Sequence, residues 1–162
     1  MIMGLEIERK FLVRKCLWRK PEDGVRIRQG YVDTKDGTTV RVRIAGSRAF
    51  VTFKDHAVGL ARHEFEYEIP VADAETILET MCAKPQVEKV RYRIPAAEPG
   101  LVWEVDEFLG ENAPLVTAEI ELPAEDTPFV KPEWIGDDVT TDHRYKNNNL
   151  AKTPYGEWGA NG

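Results

Sequence analysis

Cysteine is scarce in this chain: Cys16 and Cys82 are the only two among 162 residues, far apart and without metal-ligand spacing. Two such thiols read as free in a reducing cytoplasm, which excludes a fold built on disulfides. Long hydrophobic runs are missing too. No stretch approaches the ~18–20 apolar residues that a membrane-spanning helix needs. The opening Met3-Gly4-Leu5-Glu6 carries no basic segment followed by an apolar one, so no secretory signal is read there. Nor do basic residues predominate. A net charge of −6 and a pI near 5.2 argue against nucleic acid as the main partner. Glycine-rich phosphate loops are absent, and His56, His63 and His143 form no metal-spaced cluster.

What the chain does have is charge and a period of two. Charged residues make up 31% and hydrophobic residues 42%, ordinary proportions for one globular domain of 18.4 kDa. Short runs of alternating apolar and polar residues predict strands at Leu5–Leu12, Val25–Asp33, Thr38–Ala45, Ala49–Lys54, Arg62–Ile69, Val87–Ile94, Leu101–Phe108 and Leu115–Leu122. Turn residues separate them, such as Asp23-Gly24, Lys35-Asp36-Gly37 and Gly46-Ser47. Between the fifth and sixth runs, Ala74, Ile77, Leu78 and Met81 fall at helical spacing, with Asp73 as the expected N-cap. A second helix is expected over Asp142–Lys152, residues 57–61 and 123–132 read as loops, and the tail 154–162 is expected to be poorly ordered. Residues 1–162 thus read as one α+β domain: eight antiparallel strands and a few flanking helices.

Side chains two apart on a strand share a face, and that rule sorts the charges. Glu6, Glu8 and Lys10 share one face of the first run; Arg41 and Arg43 share one in the third. Thr52 and Lys54, then Glu64, Glu66 and Glu68, then Lys89, Arg91 and Arg93, then Glu104 and Asp106, then Glu119 and Glu121 follow the same rule. The charged faces are segregated by sign, and like charges on one face repel unless something binds them. Closing the eight strands into a barrel leaves two arrangements. The charges face solvent around an apolar core, or they line a polar interior while helices, loops or another subunit cover the apolar faces. A polar interior needs metal ions and a polyanion for neutralisation.

The ordered motifs decide the direction. Glu6-Ile7-Glu8-Arg9-Lys10 is an E-x-E-x-K pattern. It is followed by Arg28-Gln29-Gly30-Tyr31, Arg41-Val42-Arg43, Thr52-Phe53-Lys54, Glu64-Phe65-Glu66, Glu88-Lys89-Val90-Arg91, Val105-Asp106, Glu119-Ile120-Glu121 and Arg144-Tyr145-Lys146-Asn147. As a set spanning residues 4–152, they resemble the CYTH, or triphosphate tunnel metalloenzyme, family, in its short bacterial form. The resemblance implies an eight-stranded barrel that hydrolyses a small-molecule triphosphate with Mg²⁺ or Mn²⁺. By it, Glu6, Glu8 and Glu121 hold the main metal with Glu119 beside them, while Glu64, Glu66 and Asp106 support a second metal or orient neighbouring groups and waters. Lys10, Arg41, Arg43, Lys54, Lys89 and Arg91 clamp phosphate oxygens, as forked or point donors do. Tyr31, on a strand expected beside the first, is the candidate acid/base partner of Lys10. Inorganic triphosphate is the leading substrate. Thiamine or nucleoside triphosphates, cyclisation of ATP, and non-catalytic polyphosphate binding are the alternatives. A homodimer would cover apolar exterior that two helices leave bare.

Overall fold

The period-two runs pair as strands, and the sheet closes on itself. The computed structural model describes residues 5–35, 37–56 and 61–158. Residues 57–60 of the expected loop, Asp36 of the expected turn, and 159–162 of the tail lie outside these. Nine strands form: β1 (Leu5–Val13), β2 (Val25–Val32), β3 (Thr39–Ala45), β4 (Arg48–Lys54), β5 (Ala61–Ile69), β6 (Val87–Pro95), β7 (Val102–Phe108), β8 (Val116–Glu121) and β9 (Ile135–Asp138). Their order is β5-β4-β3-β2-β6-β7-β8-β1-β9, and an added β5–β1 pairing closes the first eight into an antiparallel barrel. Among the described residues of the closing seam, Leu5, Glu6 and Ile7 pair with His63, Arg62 and Ala61. Beyond it, β1 pairs with β9 through Phe11 and Val13, with a register shift between them.

The apolar faces point outward, and most of them are covered by the chain itself. Helix α1 (Val71–Thr80) lays Ala74 and Leu78 over Val42 and Ala49. Its approach requires Gly30. A Cβ there would lie 2.9 Å from the Cβ of Cys82 and 3.0 Å from Leu78 Cδ2. The outer faces of β1, β7 and β8 bury Phe11, Trp103 and Ile120 under Trp18, Phe129 and Trp134. Side chains of this size contribute about 1.5–3 kcal/mol each on full burial. Trp18, Trp103 and Trp134 therefore coat the barrel, and Trp158 packs edge-on against Tyr145. Cys16 is exposed, Cys82 is buried, and both are free.

Three local expectations change. The N-cap of α1 is Pro70, which places Asp73 in the first turn rather than at the cap. The predicted helix at 142–152 is broken into a 3₁₀ turn over His143–Tyr145 and α2 (Asn147–Lys152), because Lys146 is extended. Within the tail, Tyr155–Trp158 forms the short α3. β9 had no periodic signal: of its four residues only Ile135 is buried. No described helix is long and apolar enough to cross a membrane.

Candidate active site

The inward faces carry the charges, and they change character along the barrel. At one end, Leu12, Val87, Phe108 and Leu115 meet Tyr145 and Leu150, which reach in from the 3₁₀ turn and α2. Three strand residues of that floor, and Leu115 just before β8, share parity with a charged residue of the same strand: Leu12 with Lys10, Val87 with Lys89, Phe108 with Asp106, Leu115 with Glu119. Above the floor opens a cavity of about 270 Å³.

Its wall holds most of the residues that the sequence singles out. Glu8, Lys10, Tyr31, Arg41, Arg43, Lys54, Glu64, Glu66, Arg91, Glu119 and Glu121 all line it. Lys89 and Asp106 do not: both are fully buried just behind the wall. For Glu6 only the backbone position is described, opposite Arg62 of β5; its side chain lies outside the described residues. Tyr31 faces the cavity from a different place than expected. β2 pairs with β3 and β6, not with β1. Arg62, Glu104, Lys146 and Asn147 also line the cavity, though no role falls to them from sequence. Arg62 had a legible signal, since it shares parity with Glu64 and Glu66. Lys146 and Asn147 sit in non-periodic chain, where alternation gives no direction.

The cations are held before any ligand arrives. Arg91 donates from Nε and Nη2 to both Asp106 oxygens at 2.7 and 2.8 Å. Lys89 Nζ donates to Asp106 Oδ2 at 2.7 Å and to Asn147 Oδ1 at 2.9 Å. Arg41 Nη2 donates to Thr52 Oγ1 at 3.1 Å and to Glu66 at 3.4 Å, while its buried Nε has no hydrogen-bond partner among the described residues. Arg43 Nε donates to Gln29 Oε1 at 2.8 Å. Lys10 Nζ donates to the Tyr145 carbonyl at 2.9 Å and pairs with Glu119 at 3.1 Å.

These partners decide the charge states. Burial alone would lower Lys10, but Glu119 and Glu8 outweigh it and hold the ammonium above its ordinary value. Burial pulls Lys89 down to about 7, with Asp106 opposing and Arg91 and Arg43 adding to the fall. Burial would raise Asp106 and Glu119. Arg91 and Lys89 instead keep Asp106 down near 2, and Lys10 and Arg91 keep Glu119 well below the usual carboxylate range. Burial lowers Lys146, and its neighbours Arg62 and Lys10 lower it further.

Carboxylates adjoin one another across three strands. Glu8 is opposite Glu121, Lys10 opposite Glu119, and Glu119 opposite Glu104. Such oxygen donors suit hard divalent cations. Among the described residues, no three acidic, His or Cys side chains are already arranged to hold an ion.

Comparison with known proteins gives the family. The CYTH domain pattern matches residues 4–155. The chain is 50% identical over 153 residues to an inorganic triphosphatase of Acetivibrio thermocellus, covering 94% of this chain and 97% of that one. It is 39% identical over 155 residues to an inorganic triphosphatase of Nitrosomonas europaea, covering 90% and 96%. The crystal structure of an inorganic triphosphatase matches with a TM-score of 0.64 at 37% identity, over 93% of this chain and 95% of that one. By pattern, identity and barrel alike, the chain belongs to the CYTH domain family.

Proposed function

We propose that the protein hydrolyses inorganic triphosphate to pyrophosphate and phosphate in the charged cavity, with Mg²⁺ or Mn²⁺ as cofactor. The observation that carries this is the convergence of Lys10, Arg41, Arg43, Lys54 and Arg91 on one cavity that is equally rich in carboxylates. A binder of polyphosphate alone needs the cations; the facing carboxylates are what a metal-assisted hydrolysis adds. Relatives named inorganic triphosphatase support the substrate.

The family implies a divalent metal, and the donor set fits one: Glu8, Glu119 and Glu121 would hold it, with Glu6 as a further candidate. When bound, the metal neutralises phosphate oxygens and lowers the pKa of bound water. The chain's own residues supply the rest. Arg41, Arg43 and Arg91 present forked donors already fixed by Thr52, Gln29 and Asp106, so little reorganisation accompanies substrate entry. Arg41 Nε, without a partner among the described residues, is a donor that a phosphate oxygen would satisfy. Lys89 acts from behind the wall, positioning Asp106 and Asn147 and completing the cationic end. Glu64 and Glu66 would accept hydrogen bonds from the attacking water and take up the proton it releases. As its oxygen bonds to the terminal phosphorus, the bridging P–O bond breaks and pyrophosphate leaves with the electron pair.

The test is to incubate the protein with tripolyphosphate, ATP or thiamine triphosphate, each with Mg²⁺ or Mn²⁺, and resolve the products. Phosphate and pyrophosphate from tripolyphosphate are expected. Cyclic AMP, or binding without turnover in either metal, would replace this function with cyclisation or storage. The expected homodimer has its support in Phe53, Phe65 and Tyr67, exposed together on the outer faces of β4 and β5. Sedimentation velocity decides it, and a monomer at micromolar concentration would rule it out.

A further inference from the structure

Arg28-Gln29-Gly30-Tyr31 contributes more than its tyrosine. Gln29 is fully buried and does not line the cavity, yet its amide sits between two residues that do. On one side Arg43 Nε approaches Gln29 Oε1 at 2.8 Å; on the other Gln29 Nε2 approaches the Tyr31 hydroxyl at 2.8 Å. Donor chemistry fixes the direction of both bonds. A guanidinium can only donate, so the amide atom facing Arg43 must be the carbonyl oxygen. That leaves the NH₂ facing Tyr31, and an amide nitrogen can only donate, so the phenol oxygen accepts. The Tyr31 O–H is then turned away from Gln29 and has the cavity in front of it.

The backbone supports the same relay. Gln29 lies opposite Arg43, and Tyr31 opposite Arg41, in the β2–β3 ladder. The intervening Gly30 points outward beneath α1, with no room for a side chain. Gln29 and Tyr31 therefore project to one face, and the chain between them is pinned by the helix. Burial matters as well. An amide with no access to water has few alternatives to these two partners, so its orientation is set by them.

We infer that Gln29 is a positioning residue: anchored by Arg43, it holds the Tyr31 hydroxyl as a hydrogen-bond donor to a phosphate oxygen of the substrate. This assigns Tyr31 a substrate contact in place of a proton exchange with Lys10, whose ammonium is bound to Glu119 and the Tyr145 carbonyl. The inference rests on the triphosphatase proposal.

The test is a double-mutant cycle of Gln29→Glu and Tyr31→Phe. The substituted carboxylate still accepts from Arg43, but it can only accept from Tyr31, so the phenol proton turns away from the substrate. Gln29→Glu is expected to lower kcat/KM for tripolyphosphate about tenfold, the scale of one hydrogen bond to a charged group. In the Tyr31→Phe background it should cost less than about twofold, because there is no hydroxyl left to turn. A purely structural glutamine would cost the same in both backgrounds and lower Tm in both; equal costs overturn the inference, as does an unchanged Gln29→Glu single variant. If Gln29→Glu does not fold, Gln29→Met takes its place, and its cost must again be smaller in the Tyr31→Phe background. Tripolyphosphate affinity is measured by calorimetry on the same four proteins. A wild type that binds but does not hydrolyse sinks the functional proposal, and the cycle is then read from affinity, where equal costs again overturn the inference.

Discussion

Asp106 is the residue on which the cationic wall depends. It is 0% exposed and accepts from both Lys89 and Arg91, so it places two positive charges with one carboxylate. Removing one partner of a buried ionic cluster leaves uncompensated charge, which costs about 3–5 kcal/mol. Asp106→Ala is expected to lose that much in a urea titration; a loss below 1 kcal/mol would mean the cluster is not held together through this group. The pH dependence follows from the same contacts. Asp106 lies near 2 in the folded protein against 3.8 ordinarily, so between those values the unfolded chain binds more protons. Stability from this group is full above about pH 4 and is lost as pH falls toward 2, and Glu119 adds to the same loss. Asp106→Asn should therefore flatten the acid limb of a stability–pH curve relative to wild type. On the facing bank, Glu8→Gln should lower turnover by more than the roughly 10–100-fold typical of residues that act through a ligand. Its circular dichroism should be unchanged. Normal turnover would remove Glu8 from the metal set. The charged residues of this site were legible because strand parity repeats. What parity could not show is depth: Lys89 and Arg91 share a face, yet one is behind the wall and the other on it.

At the scale of elements, the contact between β2 and α1 is a tight constraint. A methyl group on residue 30 would press into Leu78 of α1 and into Cys82 just beyond it, where the helix's other neighbours are already packed. Overpacking of this kind costs about 1–3 kcal/mol. Gly30→Ala should shift the denaturation midpoint accordingly, and an unshifted midpoint would show that α1 rides over β2 more loosely. All eight barrel strands were readable, because each carries a stretch of alternating apolar and polar residues, as in Thr39–Ile44, Phe65–Ile69 and Val116–Glu121. β9 was not, since it is four residues long and takes its place by pairing with β1 after the register shift, a tertiary event. The broken helix at 142–152 has a similar cause. Lys146 turns into the cavity beside Asn147, and a continuous helix would not deliver both. Sequence gave composition there without direction, because coil has no period.

For the whole molecule, the governing quantity is the balance of charge in the interior. Among the described residues, the cavity is lined by as many carboxylates as cations, so it is near neutral before anything binds. A triphosphate entering alone would bring several negative charges into a balanced, partly desolvated space. Arriving with divalent cations, it would restore neutrality, and the acidic bank would be bound rather than repelled. Ligand binding to the folded state alone stabilises by about 2.7 kcal/mol at one hundred times Kd. For a chain of this length each kcal/mol is worth roughly 2–4 °C in Tm. Tripolyphosphate with Mg²⁺ should therefore raise Tm by about 5–10 °C in a scanning fluorimetry experiment, and the same concentration with EDTA should raise it by distinctly less. The seam should report the same event locally. Among the described residues, β1 and β5 pair through Leu5, Glu6 and Ile7, so amides there should exchange faster than those of the β6–β7 ladder. Glu8, Arg62 and Glu64 line the cavity from either side of that seam. Bound ligand and metal should therefore slow exchange at Ile7 and His63 more than at β6–β7. A Tm rise that is equal in EDTA would mean the cations alone bind the triphosphate and the carboxylate bank serves something else.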